Sequence, residues 1–172
     1  MISAVIIAQD RGLTPDPSAE ALVRTLAALV PAAIEGLIRD VTLAGLKSHG
    51  QLFNIADHAG CELAQADDLQ GVIAAGLKSA RSDLVLLLCA GFAPNAGYVD
   101  EIGDRFQSAQ MTSALLLRRE PETFLTRLLP QFSPVRGLVA KRGAFTKATS
   151  FDQALRCVGG GITARVQLRR VD

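Results

Sequence analysis

The residues best placed to do chemistry follow the apolar run Leu84-Val85-Leu86-Leu87-Leu88: they are Cys89, Ala90, Gly91, Phe92, Ala93 and Pro94. An uninterrupted run entered from Ser82-Asp83 and left through Gly91 and Pro94 predicts a strand buried on both faces at the centre of a parallel sheet. Ligands of open sheets of this kind sit outside the carboxyl ends of the strands, so Cys89 to Pro94 marks the expected site. It offers a thiol, a methyl group, a glycine and a phenyl ring. None of these is a carboxylate that can hold a hard cation or a metal-bound phosphate.

Other candidate groups carry competing readings. His49 and His58 are a loop and a helix-surface histidine, with no third ligand in sight for a metal. Lys47-Ser48-His49-Gly50 precedes a helix start, where free backbone N–H groups favour an anion, but it also reads as a plain loop. Gly159-Gly160-Gly161 lacks the Lys and Ser/Thr of a phosphate-binding loop and reads as a flexible connection. Arg165, Arg169 and Arg170 either reach phosphates in a metal-free site or form a solvated helix face. Cys61, Cys89 and Cys157 are odd in number and scattered, which suggests neither a disulfide framework nor a zinc site.

The elements that must position these residues alternate. Ala4 to Ala8 predicts a first strand, followed by a helix capped by Asp16, opened by Pro17 and stopped at Pro31, with Leu22, Leu26, Leu29 and Val30 as its apolar stripe. Leu37 to Leu43 predicts a second strand, with Ala44 to Gly50 as the loop at its carboxyl end; a helix through Leu52, Ile55, Ala56 and Ala59 stops at Gly60. Cys61 to Ala66 is a short third strand. Asp67 or Asp68 can cap the next helix, whose buried stripe is Leu69, Val72, Ile73, Gly76, Leu77 and Ala80, with Gly76 allowing close approach to the sheet.

After the central strand, a helix is expected from Asn95 to Phe106 and a strand from Thr112 to Leu117. A further helix is marked by Leu125, Leu128, Leu129 and Phe132, and Gly137 to Ala140 returns as a strand. The stretch from Phe145 on reads as less regular. The expectation is a single domain over 1–172: a three-layer αβα sandwich with a mostly parallel central sheet, in which Leu84–Leu88 lies between the strands beginning near Ala4 and Thr112.

Composition bounds the function. Eighteen basic and seventeen acidic residues leave a formal charge of +1, which provides no footprint for nucleic acid or an anionic membrane. The 49% apolar content is ample for one core, yet the longest apolar runs fall far short of the roughly 20 residues of a membrane span. Met1-Ile2-Ser3 opens into a strand without a basic leader, so a cytoplasmic location is expected.

The order of these pieces resembles the family 2 glycosyltransferases, which have the GT-A fold and transfer sugars from nucleotide-sugar donors. Ile2-Ser3-Ala4-Val5-Ile6-Ile7 is similar to that family's opening strand, and Ala74 to Asp83 to its AAGxxxARGD stretch. Pro94-Asn95-Ala96-Gly97-Tyr98-Val99 resembles its PxGYL stretch, and Ser150-Phe151-Asp152-Gln153-Ala154-Leu155 its GGFDExL segment. The resemblance implies a GT-A-like fold and a nucleotide or nucleotide-sugar as partner.

It also implies where the site residues should stand. Asp10 falls where the family places a polar nucleotide contact, although an Asx-type turn before Gly12 explains it equally well. Ala44 and Gly45 occupy the place of the acidic residues that read base and ribose; Asp68 lies near that site, and a helix cap accounts for it too. Cys89-Ala90-Gly91 stands at the position of the metal-binding DXD, and Gly160-Gly161 at that of the catalytic base. The divalent cation expected of the family therefore has no ligands here, and no cofactor and no catalytic residue is assigned. Two functions follow: a glycosyltransferase-like protein that still binds a nucleotide or nucleotide-sugar, with Arg or Lys in place of the metal and impaired transfer, or a non-catalytic pseudoenzyme that binds a protein partner as an assembly module in envelope or polysaccharide synthesis.

Overall fold

The structure, a computed structural model, describes residues 1–10, 17–95, 97–107 and 113–171. Asp16, Gly12 and Thr112, which carried sequence expectations, lie outside these residues, as do the side chains of Phe106 and Leu125. Four parallel strands come first: β1 (Ile2–Ile7), β2 (Ile38–Leu46), β3 (Glu62–Ala66) and β4 (Leu84–Cys89). The remaining strands are β5 (Phe92–Pro94), β6 (Ala114–Arg119), β7 (Val135–Lys141) and β8 (Gly161–Arg170). They form one eight-stranded mixed sheet in the order β3-β2-β1-β4-β7-β6-β8-β5.

The run Leu84–Leu88 is central, as its composition demands, and Val85 to Cys89 are each at most 1% exposed. One neighbour differs from expectation. β1 lies on one side, but the other side is β7, antiparallel through Leu86 opposite Val139, and the strand near Thr112 lies one place further out. Strands buried on both faces carry the same apolar code wherever they sit, so composition does not fix their order.

Among the described residues there are six α-helices: α1 (Ala19–Ile34), α2 (Gln51–Ala59), α3 (Val72–Ser79), α4 (Tyr98–Gln107), α5 (Phe124–Leu128) and α6 (Phe151–Cys157). The cap of α1 is Ser18, whose side chain accepts the Ala21 N–H, and the helix runs through Pro31 to Ile34. Pro31 withholds a single N–H near the helix end, and the buried stripe continues through Leu29 and Ala32, so burial outweighs the lost bond. Tyr98 of α4 donates its hydroxyl to the Ala28 carbonyl in the same turn, at 3.0 Å, and burial pushes its pKa up to about 12. Asp68 does not cap α3 itself; its Oδ1 accepts the Gly71 N–H at 2.8 Å in the turn before it.

β2 extends to Leu46, so Ala44 and Gly45 are strand residues and not the expected loop. They face opposite layers. A Cβ added to Gly45 would lie 2.3 Å from Leu52 Cδ1 of α2, and one added to Gly76 of α3 would lie 3.0 Å from Ala44 Cβ and 2.5 Å from Val5 Cγ1. Gly76 thus seats α3 directly on β1 and β2. Gly76→Ala gains helix propensity worth about 1 kcal/mol, but overpacking against stiff, buried Val5 costs roughly 1–3 kcal/mol. A lower urea midpoint is expected; an unchanged or higher one would show that α3 can lift off the sheet.

The C-terminal part is regular where irregularity was expected. β8 is ten residues long, and Ala164, Val166 and Leu168 are buried while Arg165 and Arg169 are exposed. Arg165, Arg169 and Arg170 therefore stand on a strand, not on a helix face. A bulge interrupts it: Leu116 and Arg118 of β6 face Thr163 and Gln167, so one β6 residue opposes three in β8. Glu101 of α4 takes up N–H groups in this bulge, with Oε1 accepting from Arg165 at 2.9 Å and Oε2 from Val166 at 2.7 Å. Arg105 pairs with the same carboxylate at 3.2 Å.

The helix expected around Leu128 and Phe132 is short. Past α5 the chain makes a 3-10 turn at Pro130–Phe132, and Phe124, Leu128 and Phe132 are 75%, 62% and 69% exposed.

Candidate functional site

The parallel strands bring their carboxyl ends to one edge, and β7 delivers its amino end there because it runs antiparallel to β4. Leu88 pairs with Gly137, so one step on, Cys89 and Arg136 stand opposite each other. Cys89 is fully buried. Burial drives its thiol pKa far up; Asp10 and Asp152 push in the same direction, and the Arg136 guanidinium opposes them through charge and a hydrogen bond. The raised pKa disfavours the thiolate, the form in which a cysteine acts as a nucleophile.

Backbone bonds close the turn that follows. Ala90 N–H donates to the Ile7 carbonyl at 3.0 Å, and Gly91 N–H to Thr25 Oγ1 of α1 at 3.0 Å. The Gly91 carbonyl accepts Val171 N–H at 2.9 Å. Gly91 makes the turn with φ +82°, in the left-handed region that favours glycine.

Two arginines stand at this strand end beside Asp10 and Asp152. Phe92 lies under two guanidinium groups, those of Arg119 and Arg136, each 5.9 Å from its ring centroid. Arg119 is held by Glu122. Arg118 is spent on the Ser133 carbonyl, 2.7 Å from Nη1. Half-buried Arg136 has no carboxylate within ion-pair distance among the described residues. A guanidinium held by an aromatic face and left without an acid is suited to an oxyanion such as phosphate. Among the described residues no three His, Cys, Asp or Glu side chains converge in metal-binding range, Asp10 is engaged, and Arg136 supplies positive charge already.

The expected nucleotide-reading positions sit as follows. Asp10, 6% exposed, accepts the Phe151 N–H at 3.1 Å through Oδ2 and so ties the end of β1 to the start of α6, where Ser150 is the helix cap. The Asx-type turn before Gly12 lies outside the described residues. Ala44 is fully buried, and neither it nor Gly45 presents a polar side chain. Asp68 is exposed in its own turn, and Lys47 pairs with Asp67 across the ends of β2 and β3 at 2.8 Å. Gln9 lies beside them unannounced: its Oε1 accepts Leu46 N–H at 2.8 Å, and its Nε2 is 2.9 Å from His49 Nδ1.

Gly160 and Gly161 are not brought to this edge. Gly161 pairs with Ala114 at the amino end of β6, level with the start of β4. The structure thus gathers Asp10, Cys89, Asp152 and Arg136, and leaves the two glycines at the far edge. Sequence reasoning passed over Arg136; its signal was a lone charge next to the apolar run Gly137 to Ala140.

No protein-family model matches the chain, and no curated protein sequence does either. Solved structures do resemble it. Glucosyl-3-phosphoglycerate synthase from Mycobacterium tuberculosis, in complex with Mn2+, uridine diphosphate and glucosyl-3-phosphoglycerate, is 14% identical with a TM-score of 0.59 over 84% of this chain and 57% of that one. HddC from Yersinia pseudotuberculosis, complexed with GMP-PN, is 10% identical with a TM-score of 0.62, over 99% of this chain and 93% of that one. A nucleotidyl transferase from Methanothermobacter thermautotroptrophicus is 15% identical with a TM-score of 0.58, over 100% of this chain and 88% of that one.

The chain therefore spans 57% of the length of the Mycobacterium synthase but close to all of the other two. At these identities the likeness establishes the fold alone, a mixed α/β sheet covered by helices that the chain shares with these proteins. It reaches a nucleotidyl transferase as well as a glucosyl-3-phosphoglycerate synthase and does not single out family 2. No helix among the described residues is long and apolar enough to cross a membrane.

Proposed function

We propose that this protein binds a nucleotide or nucleotide-sugar at the carboxyl edge of its sheet, with Arg136 in place of the divalent cation, and that metal-dependent glycosyl transfer is impaired. The observation that carries the reading is Arg136 itself: opposite Cys89 where the DXD is expected, over Phe92, and without an acidic partner among the described residues. A diphosphate needs its charge neutralised by a metal or by fixed cations, and a guanidinium meets that need with two directed N–H donors. Asp10 and Asp152 supply polar groups on the same edge. Efficient transfer also needs a base within hydrogen-bond reach of an acceptor, and neither carboxylate is given that role, Asp10 because Phe151 already engages it.

Calorimetric titration with UDP, GDP and their sugars, with and without manganese, tests this. Binding tighter than millimolar and indifferent to manganese is expected. Arg136→Ala should weaken it by roughly 10–100-fold, the worth of a charge-assisted contact, while the melting temperature holds; Arg136→Lys should recover part of the loss. Binding that requires manganese would sink the cation replacement. A flat response to every nucleotide would favour the non-catalytic reading, a partner-binding module on an inherited fold.

A further inference from the structure

Building on nucleotide binding at the carboxyl edge, we infer that His49 selects the base of the nucleotide. It favours uracil and guanine, which carry an exocyclic oxygen, over cytosine and adenine, which carry an amino group in its place. Gln9, just past the end of β1, is 5% exposed. The Leu46 N–H can only donate, so the Gln9 atom 2.8 Å from it is the carbonyl oxygen, and the amide nitrogen is the atom turned to His49 Nδ1, at 2.9 Å. That nitrogen can only donate too. His49 Nδ1 must therefore present its lone pair, which puts the proton of the neutral ring on Nε2. The Nε2–H has no partner among the described residues, and the ring stands half-buried in the turn after β2.

The sheet order supplies the distance. β2, β1, β4 and β7 are consecutive, so His49 beyond β2 and Arg136 on β7 stand three strand spacings apart, roughly 14 Å. An extended nucleoside diphosphate spans such a gap, with its phosphates at Arg136 and its base at His49. A donor whose direction is fixed pairs with the oxygen of uracil at C4 or of guanine at C6, whereas the amino group of cytosine or adenine sets donor against donor. Lys47, two residues earlier, is already engaged by Asp67 at 2.8 Å.

Two measurements on the full chain test this. With two histidines in the sequence, proton–nitrogen correlation spectra of protein carrying isotope-labelled histidine, in mildly alkaline solution, resolve each ring. His49 should hold its proton on Nε2, with His58, whose Nδ1 lies 2.6 Å from the Asn54 carbonyl, as the opposite tautomer for reference. A proton on His49 Nδ1 overturns the inference before any ligand is added. Calorimetry should then show UDP binding at least about tenfold more tightly than CDP, and GDP more tightly than ADP. His49→Ala should bring the ratio of UDP to CDP affinity toward one, and His58→Ala should leave it unchanged. Equal binding of UDP and CDP by the wild type, or a preference that survives His49→Ala, overturns base selection while nucleotide binding stands. No binding of any of the four diphosphates overturns that binding and the selection with it.

Discussion

Replacing Leu86 by Asp is expected to leave the chain unfolded at neutral pH, seen as loss of its far-ultraviolet circular dichroism and of any cooperative thermal transition. Leu86 is 1% exposed, with Ala4 opposite on β1 and Val139 opposite on β7, so a carboxylate there meets apolar cross-strand neighbours. Losing the leucine costs roughly 2–5 kcal/mol. Holding the acid protonated at pH 7, against an ordinary value near 4, costs about 4 kcal/mol more. The total is comparable to the ~5–15 kcal/mol that typically holds a domain together. The sign with pH follows: the folded-state pKa is raised, so the proton penalty shrinks as pH falls toward 4, and the variant should be less unstable in acid than at neutrality. A soluble variant with an unchanged melting temperature would sink the burial argument.

Glu101→Ala should be the most damaging change at a partly exposed position. Burial alone would push the Glu101 pKa up, but N–H donation from Arg165 and Val166 and the neighbouring Arg105 outweigh it and hold the carboxyl below its ordinary value. Removing it leaves the exposed Arg165 N–H to water and deprives the part-buried Val166 N–H of its acceptor, at roughly 1–3 kcal/mol, or about 2–12 °C in melting temperature. Because the folded-state pKa is depressed, this stabilisation is fully present above the unfolded value near 4 and is lost as pH falls through the lower folded value. The gap in stability between wild type and variant should therefore narrow in acid. Glu101→Gln keeps one acceptor oxygen but turns an amide donor toward the second N–H, so only partial recovery is expected. A variant whose deficit is the same at pH 7 and pH 3 would show that the carboxylate's charge is not what matters.

What the sequence made legible was local and periodic. The apolar runs of β1 and β4 and the stop at Gly60, which is left-handed at φ +65°, were all readable from neighbours in the chain. The close seat of α3 at Gly76 could be inferred from its place on the buried stripe. The insertion of β7 beside β4 was not readable, because two equally apolar strands compete for one place and nothing in either encodes its neighbour. β8 had a period of two in Ala164, Val166 and Leu168, but the arginines between them and the glycines before them drew the reading toward a loose basic end.

At the site, the lack of acids at Cys89-Ala90-Gly91 was visible at once. The group that stands opposite was not, since Arg136 reaches Cys89 only through the antiparallel pairing of β7. Asp10 shows the same limit: its partner is the N–H of Phe151, 141 residues away, and no local turn chemistry announces such a bond.

The placing of β8 also sets the timetable by which this sheet can be completed during synthesis. β8 pairs with β6 on one side and β5 on the other, and Val171 N–H satisfies the Gly91 carbonyl. A ribosome has made residues 92–94 and 114–119 well before it makes their partners at 161–170. Over that interval β5 has no strand to pair with, and β6 has β7 alone. The amino-terminal strands β1 to β4 can zip together as they emerge, but the second half waits with an open strand edge, and it is there that a growing chain is most available to a chaperone or to another copy of itself.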